Sequence, residues 1–98
     1  MHSHIYMCVR IRAKNDALVE LREILTEMVN KTQKEPGLLF YKLYVDDKNP
    51  NVFYFFEGWE NQSSLDGHNS SIHVKHFLAE LPRLSVDGAR VDIMHCIS

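Results

Sequence analysis

Three histidines and one carboxylate carry the reactive chemistry of this sequence. His68, His73 and His76 cluster late in the chain, with Asp66 beside them. An imidazole near its ordinary pKa of about 6.5 can take a proton at neutral pH, so His68 or His73 can serve as a general base. The carboxylate is Glu57, inside the run Val52-Phe-Tyr-Phe-Phe-Glu-Gly-Trp-Glu60. A carboxylate among aromatic residues is costly to bury without a partner or a task. Period-2 geometry puts Phe53, Phe55, Glu57 and Trp59 on one face, an aromatic wall with a single acid. Gly58 leaves a gap beside it that admits a ligand or another backbone. Ligand sites are mostly apolar with a few placed polar groups, and this face fits that description.

Each of these residues also has a purely structural reading. His68, His73 and His76 can be surface or capping residues, and Glu57 can pair with Arg10, Arg12 or Arg90 as a buried ion pair. A metal site needs three or four converging ligands. The spacing H-x4-H-x2-H does not by itself supply them, and no metal is expected.

Six elements position these residues. Ile5 to Arg12 alternates as a strand, with Ile5, Met7, Val9 and Ile11 on one face. After a possible cap at Asn15, the residues Leu18, Leu21, Leu25, Met28, Val29 and Thr32 recur at helical spacing. Glu35-Pro36-Gly37 stops that helix, because proline disfavours helical geometry in the residue before it. Leu38 to Val45 is a second strand, and Asp46 to Asn51 a turn-rich connection. Val52 to Glu60 is a third strand, apolar enough to be buried on both faces. A helix is expected from His68 to Leu84, ending near Pro82, and a last strand from Ala89 to Ile97. The order strand, helix, strand, strand, helix, strand is the ferredoxin-like split βαβ arrangement, an α+β fold with one four-stranded antiparallel sheet. Both helices then cover one sheet face. The other face keeps aromatic residues in water, which suggests a homodimer joined through the sheets.

Composition removes several function classes. The chain has 98 residues, the length of one domain, and a net charge of -2. There is no basic field for nucleic acid or membrane surfaces, and no apolar run long enough to span a bilayer. Met1 to His4 leads directly into the first strand, so no signal peptide is expected, and the chain is read as cytoplasmic. Cys8 and Cys96 are then free thiols. No glycine-rich phosphate loop, G-x-S-x-G or C-x-x-C is present, which speaks against a bound cofactor.

Glu35-Pro36-Gly37, Glu57-Gly58-Trp59-Glu60, Ser64-Leu65, His68, Ser71, His73 and Phe77 together resemble the antibiotic biosynthesis monooxygenase family over nearly the whole chain. The segment from Glu57 to Phe77 is the most specific part. Asn69 and Ile72 depart from the family pattern, where Leu and Pro are common, and both bear on the start of the last helix. The resemblance implies a dimeric α/β barrel and a monooxygenase without bound metal or flavin. Its substrate would be a small phenol or quinol that loses a proton to a base and reduces dioxygen itself. His68 or His73 would be the base, with Glu57 as its orienter or a substrate partner. Trp59, Phe55 and Phe77 would form the wall. At the position of the iron-binding histidine of haem-degrading relatives the chain has Phe77, which speaks against haem. The family's functional spread leaves two alternatives. One is an isomerase of a small phosphorylated signal, like the relative that degrades autoinducer-2. Arg10, Arg12 or Lys42 would then bind the phosphate. The other is a non-catalytic dimeric binding module.

Overall fold

A computed structural model describes residues 4–98. Met1 to Ser3, on which the expectation about a targeting segment partly rests, lie outside the described residues. The elements are β1 (Ile5–Ala13), α1 (Leu18–Thr32), β2 (Leu38–Val45), β3 (Val52–Trp59), α2 (Gln62–Asn69), α3 (Ile72–Leu84) and β4 (Ser85–Met94). The four strands form one antiparallel sheet in the order β2-β3-β1-β4, so β1 and β3 are central as a split βαβ fold requires. No helix among the described residues is long and apolar enough to cross a membrane.

Alternation decides which face meets the helices. Ile5, Met7, Val9 and Ile11 of β1 are buried, as are Phe53, Phe55, Glu57 and Trp59 of β3. Register pairs Met7 with Glu57, Val9 with Phe55 and Ile11 with Phe53, so these side chains share the helix-covered face. From above, α1 contributes Leu21, Leu25 and Met28, and α3 contributes Val74, Phe77, Leu81 and Leu84. Each such side chain gains about 1.5–3 kcal/mol from burial, which sets the helices onto this face.

The structure corrects several expectations about the elements. The expected burial of β3 on both faces fails within one chain, because Tyr54 is half-buried and Phe56 is 37% exposed on the helix-free side. The gap at Gly58 is filled by Phe40: a Cβ built at Gly58 would lie 2.5 Å from the Phe40 ring. Asn15 caps nothing; it opens a single 3-10 turn over Asn15–Ala17. The helix expected from His68 is two helices, α2 and α3, broken at Ser70–Ser71. Asn61 caps the first by accepting from the Ser64 backbone N–H at 2.9 Å, and Ser71 caps the second through Val74 N–H at 3.3 Å. Pro82 lies inside the last turn of α3, and β4 begins at Ser85 rather than after the Gly88 turn.

The tight link from α1 into β2 depends on glycine. Gly37 has φ of +78°, and a Cβ there would lie 1.9 Å from Ser64 Oγ on α2. Its carbonyl also accepts from Glu60 N–H at 2.8 Å, tying the start of β2 to the end of β3. Gly37→Ala is expected to cost about 2 kcal/mol or more, from left-handed strain plus the clash with α2. Urea denaturation should show a lowered midpoint, whereas an unchanged midpoint would contradict the close approach of this link to α2.

Candidate functional site

Between the sheet and the helices lies a cavity of about 390 Å³. Apolar side chains line most of it, among them Met7, Val9, Phe55, Leu65, Phe77 and Val91, with Glu57, His68, Tyr41, Gln62 and Asn69 as its polar members. Its size and apolar lining with few polar groups are those of a small-molecule site. Glu57, His68, Phe55 and Phe77 therefore meet at one place, as expected from the sequence.

His68 is held on three sides. It occupies the last turn of α2 and is 4% exposed. Its ring packs on Trp59, with centroids 4.7 Å apart, and on Tyr41 at 5.3 Å. Its Nδ1 lies 2.5 Å from Oε2 of Glu35, in the link between α1 and β2. A carboxylate offers acceptors alone, so the ring carries its proton on Nδ1 and donates it to Glu35. No partner to Nε2 is found among the described residues. No buried side-chain nitrogen or oxygen among them is left unbonded either, so Nε2 opens to the cavity that His68 lines.

His73, in the first turn of α3, stands behind this pair. Its Nε2 is 3.3 Å from Oε1 of Glu35, 3.2 Å from Thr32 Oγ1 and 3.3 Å from Ser71 Oγ. Ser71 Oγ also donates to the His68 carbonyl at 2.6 Å, so the α2–α3 break fixes both histidines. His73 does not line the large cavity; it faces a small cleft with His76, Glu27 and Lys31. His76 and Asp66 are exposed and outside the cluster. The nitrogen and oxygen donors of Glu35, His68 and His73 all lie within 4.8 Å of one another, a group able to hold a metal ion.

Several residues stand elsewhere than the sequence suggests. The carboxylate hydrogen-bonded to His68 is Glu35, not Glu57; Glu57 accepts instead from Trp59 Nε1–H at 2.9 Å. Glu35 is visible in the sequence as the first residue of Glu35-Pro36-Gly37, where it reads only as part of a helix stop. Its signal is the pairing of that acid with His68 within one motif set. Trp59 is fully buried beneath His68 and backs the site without lining the cavity. Arg10 falls on the helix-free face by alternation with Val9 and Ile11, as does Arg12, and neither lines the cavity. Arg90 pairs with Arg10 in register and lies 3.7 Å from Asp92, so the expected ion pair of Glu57 with these arginines does not form.

Burial governs the charges. It pushes the Glu57 carboxyl up to about 7, against the Trp59 N–H that favours the charged form, and the negative charge of Glu35 adds to the rise. Burial also pulls the His68 imidazole below its ordinary value, although the Glu35 hydrogen bond and charge oppose this. Desolvation thus outweighs the rise that a neighbouring carboxylate brings. Tyr41 is pushed far up, first by burial and then by the charges of Glu57 and Glu35, so its phenol stays protonated. At neutral pH the cavity holds an uncharged imidazole with a free ring nitrogen, the state a general base requires.

A family model described as antibiotic biosynthesis monooxygenase matches residues 4–80. An uncharacterized protein of Synechocystis is 29% identical over 89 residues, or 91% of this chain, and the chain spans 60% of that relative's length. Rv0793 of Mycobacterium tuberculosis, by name a candidate monooxygenase, is 27% identical over 94 residues, covering 96% of this chain and 92% of the relative. Its solved structure superposes with a TM-score of 0.93 at 25% identity, over 98% of this chain and 97% of that one. A crystal structure of an antibiotic biosynthesis monooxygenase superposes with a TM-score of 0.89 at 26% identity, over 96% of this chain and 99% of that one.

The raised carboxyl of Glu57 makes stability depend on pH. Above about 4.5 the unfolded chain releases this proton while the folded chain keeps it, so stability falls as pH rises toward about 7 and then levels off. Tyr41 opposite on β2, Glu35 and His68 are the titratable groups nearest to this effect. Glu57→Gln keeps the Trp59 contact and removes the charge. It is expected to stabilise the chain at pH 8 by on the order of 1–3 kcal/mol, with the gain shrinking by pH 5. Urea denaturation at the two pH values checks this, and an equal effect at both would contradict it.

Proposed function

The chain belongs to the antibiotic biosynthesis monooxygenase family, and from that premise we propose that it oxidises a small phenol or quinol with dioxygen, using His68 as the base. The carrying observation is the Glu35–His68 hydrogen bond at 2.5 Å, which holds Nδ1 and leaves Nε2 to an apolar cavity. The substrate hydroxyl gives its proton to Nε2, and Glu35 supports the imidazolium that results. The phenolate then passes electrons to dioxygen, which bonds to a ring carbon. The proton on His68 returns to the peroxide; the ring carbon then gives up its C–H proton as the O–O bond breaks, that proton joins the departing hydroxide as water, and the ring carbon keeps a carbonyl oxygen. Phe55 and Phe77 hold the ring and exclude water, and Glu57 offers a hydrogen bond to a second oxygen of the substrate. His73 positions Glu35 from behind. This chemistry asks for no bound metal, flavin or nicotinamide.

The phosphorylated-signal isomerase is the weaker reading. No Lys or Arg lines the cavity among the described residues, and Arg10, Arg12 and Lys42 lie on the helix-free face. A phosphate would meet Glu57 with no cation to balance it.

His68→Gln keeps much of the volume between Trp59 and Tyr41 while removing the base. It is expected to lower oxygen uptake on a panel of small quinols by about 10²–10⁴-fold with the fold retained. Glu35→Gln should lower it less, since the imidazole remains and only its fixed tautomer is lost. Turnover at the wild-type rate in His68→Gln, or turnover only with added flavin, nicotinamide or metal, would contradict the reading.

The helix-free face supports a homodimer joined through the sheets. Phe40 packs between Tyr6 and Phe56, with centroids 6.0 and 4.9 Å away, and Tyr44, Phe56 and Met94 remain exposed around them. Apolar area of this kind calls for a partner surface, and obligate interfaces commonly exceed about 2,000 Å². Sedimentation at micromolar concentration should show a dimer, and Phe56→Lys should shift it toward monomer. A wild-type monomer would contradict the assembly.

A further inference from the structure

We propose that Glu35, His68 and His73 form a binding site for a divalent transition ion of the Zn²⁺ type. The three ligands come from the α1–β2 link, the last turn of α2 and the first turn of α3. Their donor atoms, His68 Nδ1, His73 Nε2 and a carboxylate oxygen, converge within 4.8 Å. A tetrahedral ion with bonds near about 2.0–2.2 Å holds its ligand atoms roughly 3.3 Å apart. Glu35 meets the two rings through different oxygens, so its carboxylate turns slightly for one oxygen to serve as ligand; Oε1 and His73 Nε2 stand 3.3 Å apart. Glu35 Oε2 and His68 Nδ1, at 2.5 Å, need to separate by less than about 1 Å as the ion takes the place of their shared proton.

The donor set selects the ion. Two imidazoles and one carboxylate suit zinc, iron or nickel, whereas magnesium and calcium favour oxygen ligands alone. Among the described residues the ion-pair partners of Glu35 are these two imidazoles, with no Lys or Arg to compete. An ion at His73 Nε2 would take the place of the Thr32 and Ser71 hydroxyl contacts, now at 3.2 and 3.3 Å from that nitrogen. Three protein ligands leave a fourth position for water. An ion here would make His68 Nε2 a poorer proton acceptor, but the site stands whether or not His68 is a base, because binding is read without turnover.

Calorimetric titration of the chelator-treated chain with Zn²⁺ at pH 7 is expected to give one ion per chain. His73→Ala and Glu35→Gln should each weaken binding by at least about tenfold, and His76→Ala should leave it unchanged. In the wild-type chain, the first equivalent of Zn²⁺ should move the ring ¹⁵N resonances of His68 and His73 before those of the exposed His76 and His95. This second readout does not depend on the variants folding. Absence of binding, equal affinity in all three variants, or shifts confined to His76 and His95 would overturn the site.

Discussion

The hydrogen bond between Glu35 and His68 is the constraint on which the site depends. It joins residues 33 positions apart, in the link after α1 and the last turn of α2. A buried imidazole and a largely buried carboxylate are each unfavourable alone, and breaking such a pair leaves an uncompensated polar group. Several local features exist to let the pair form. Gly37 takes a left-handed conformation so that the link passes close to α2. Ser71 breaks the helical run and caps α3, turning His68 and His73 toward the same carboxylate. Trp59 and Tyr41 give the ring its platform.

The two carboxylates near the cavity have opposite characters. Glu35 has imidazole partners and acts as an acceptor that fixes a tautomer. Among the described residues Glu57 has the Trp59 N–H as its partner and no cation, so burial brings its proton affinity close to neutral pH. A carboxyl raised by burial beside an imidazole lowered by burial gives one cavity a proton donor and a proton acceptor together. The surrounding Phe55, Phe77, Met7 and Val9 are apolar, and a low local dielectric strengthens both effects.

The fold was readable because its signals are local and periodic. Alternation in β1 and β3 and the 3.6-residue stripe of α1 each identify their element without knowledge of the rest. The misses are where tertiary contact overrides pattern. Ser70–Ser71 divides a helix because the Ser71 hydroxyl is needed at the His68 carbonyl. Pro82 stays helical in the last turn, and Ser85 enters a strand directly by pairing with Ala13. In the site, Glu57 and His68 were identifiable by type and do reach one cavity. Their linkage was not, because Glu35 is distant in sequence and its place before proline reads as a backbone signal. Arg10 was misplaced because alternation alone leaves open which face meets the helices; only the packing of α1 and α3 on Val9 and Ile11 settles it.

Whether Glu35 holds His68 in the tautomer that presents a bare Nε2 to the cavity is read directly from the ring ¹⁵N chemical shifts of His68 at neutral pH. The ring should be neutral and protonated at Nδ1, with that tautomer lost in Glu35→Gln. A ring protonated at Nε2, or one that averages both tautomers in the wild-type chain, would contradict it.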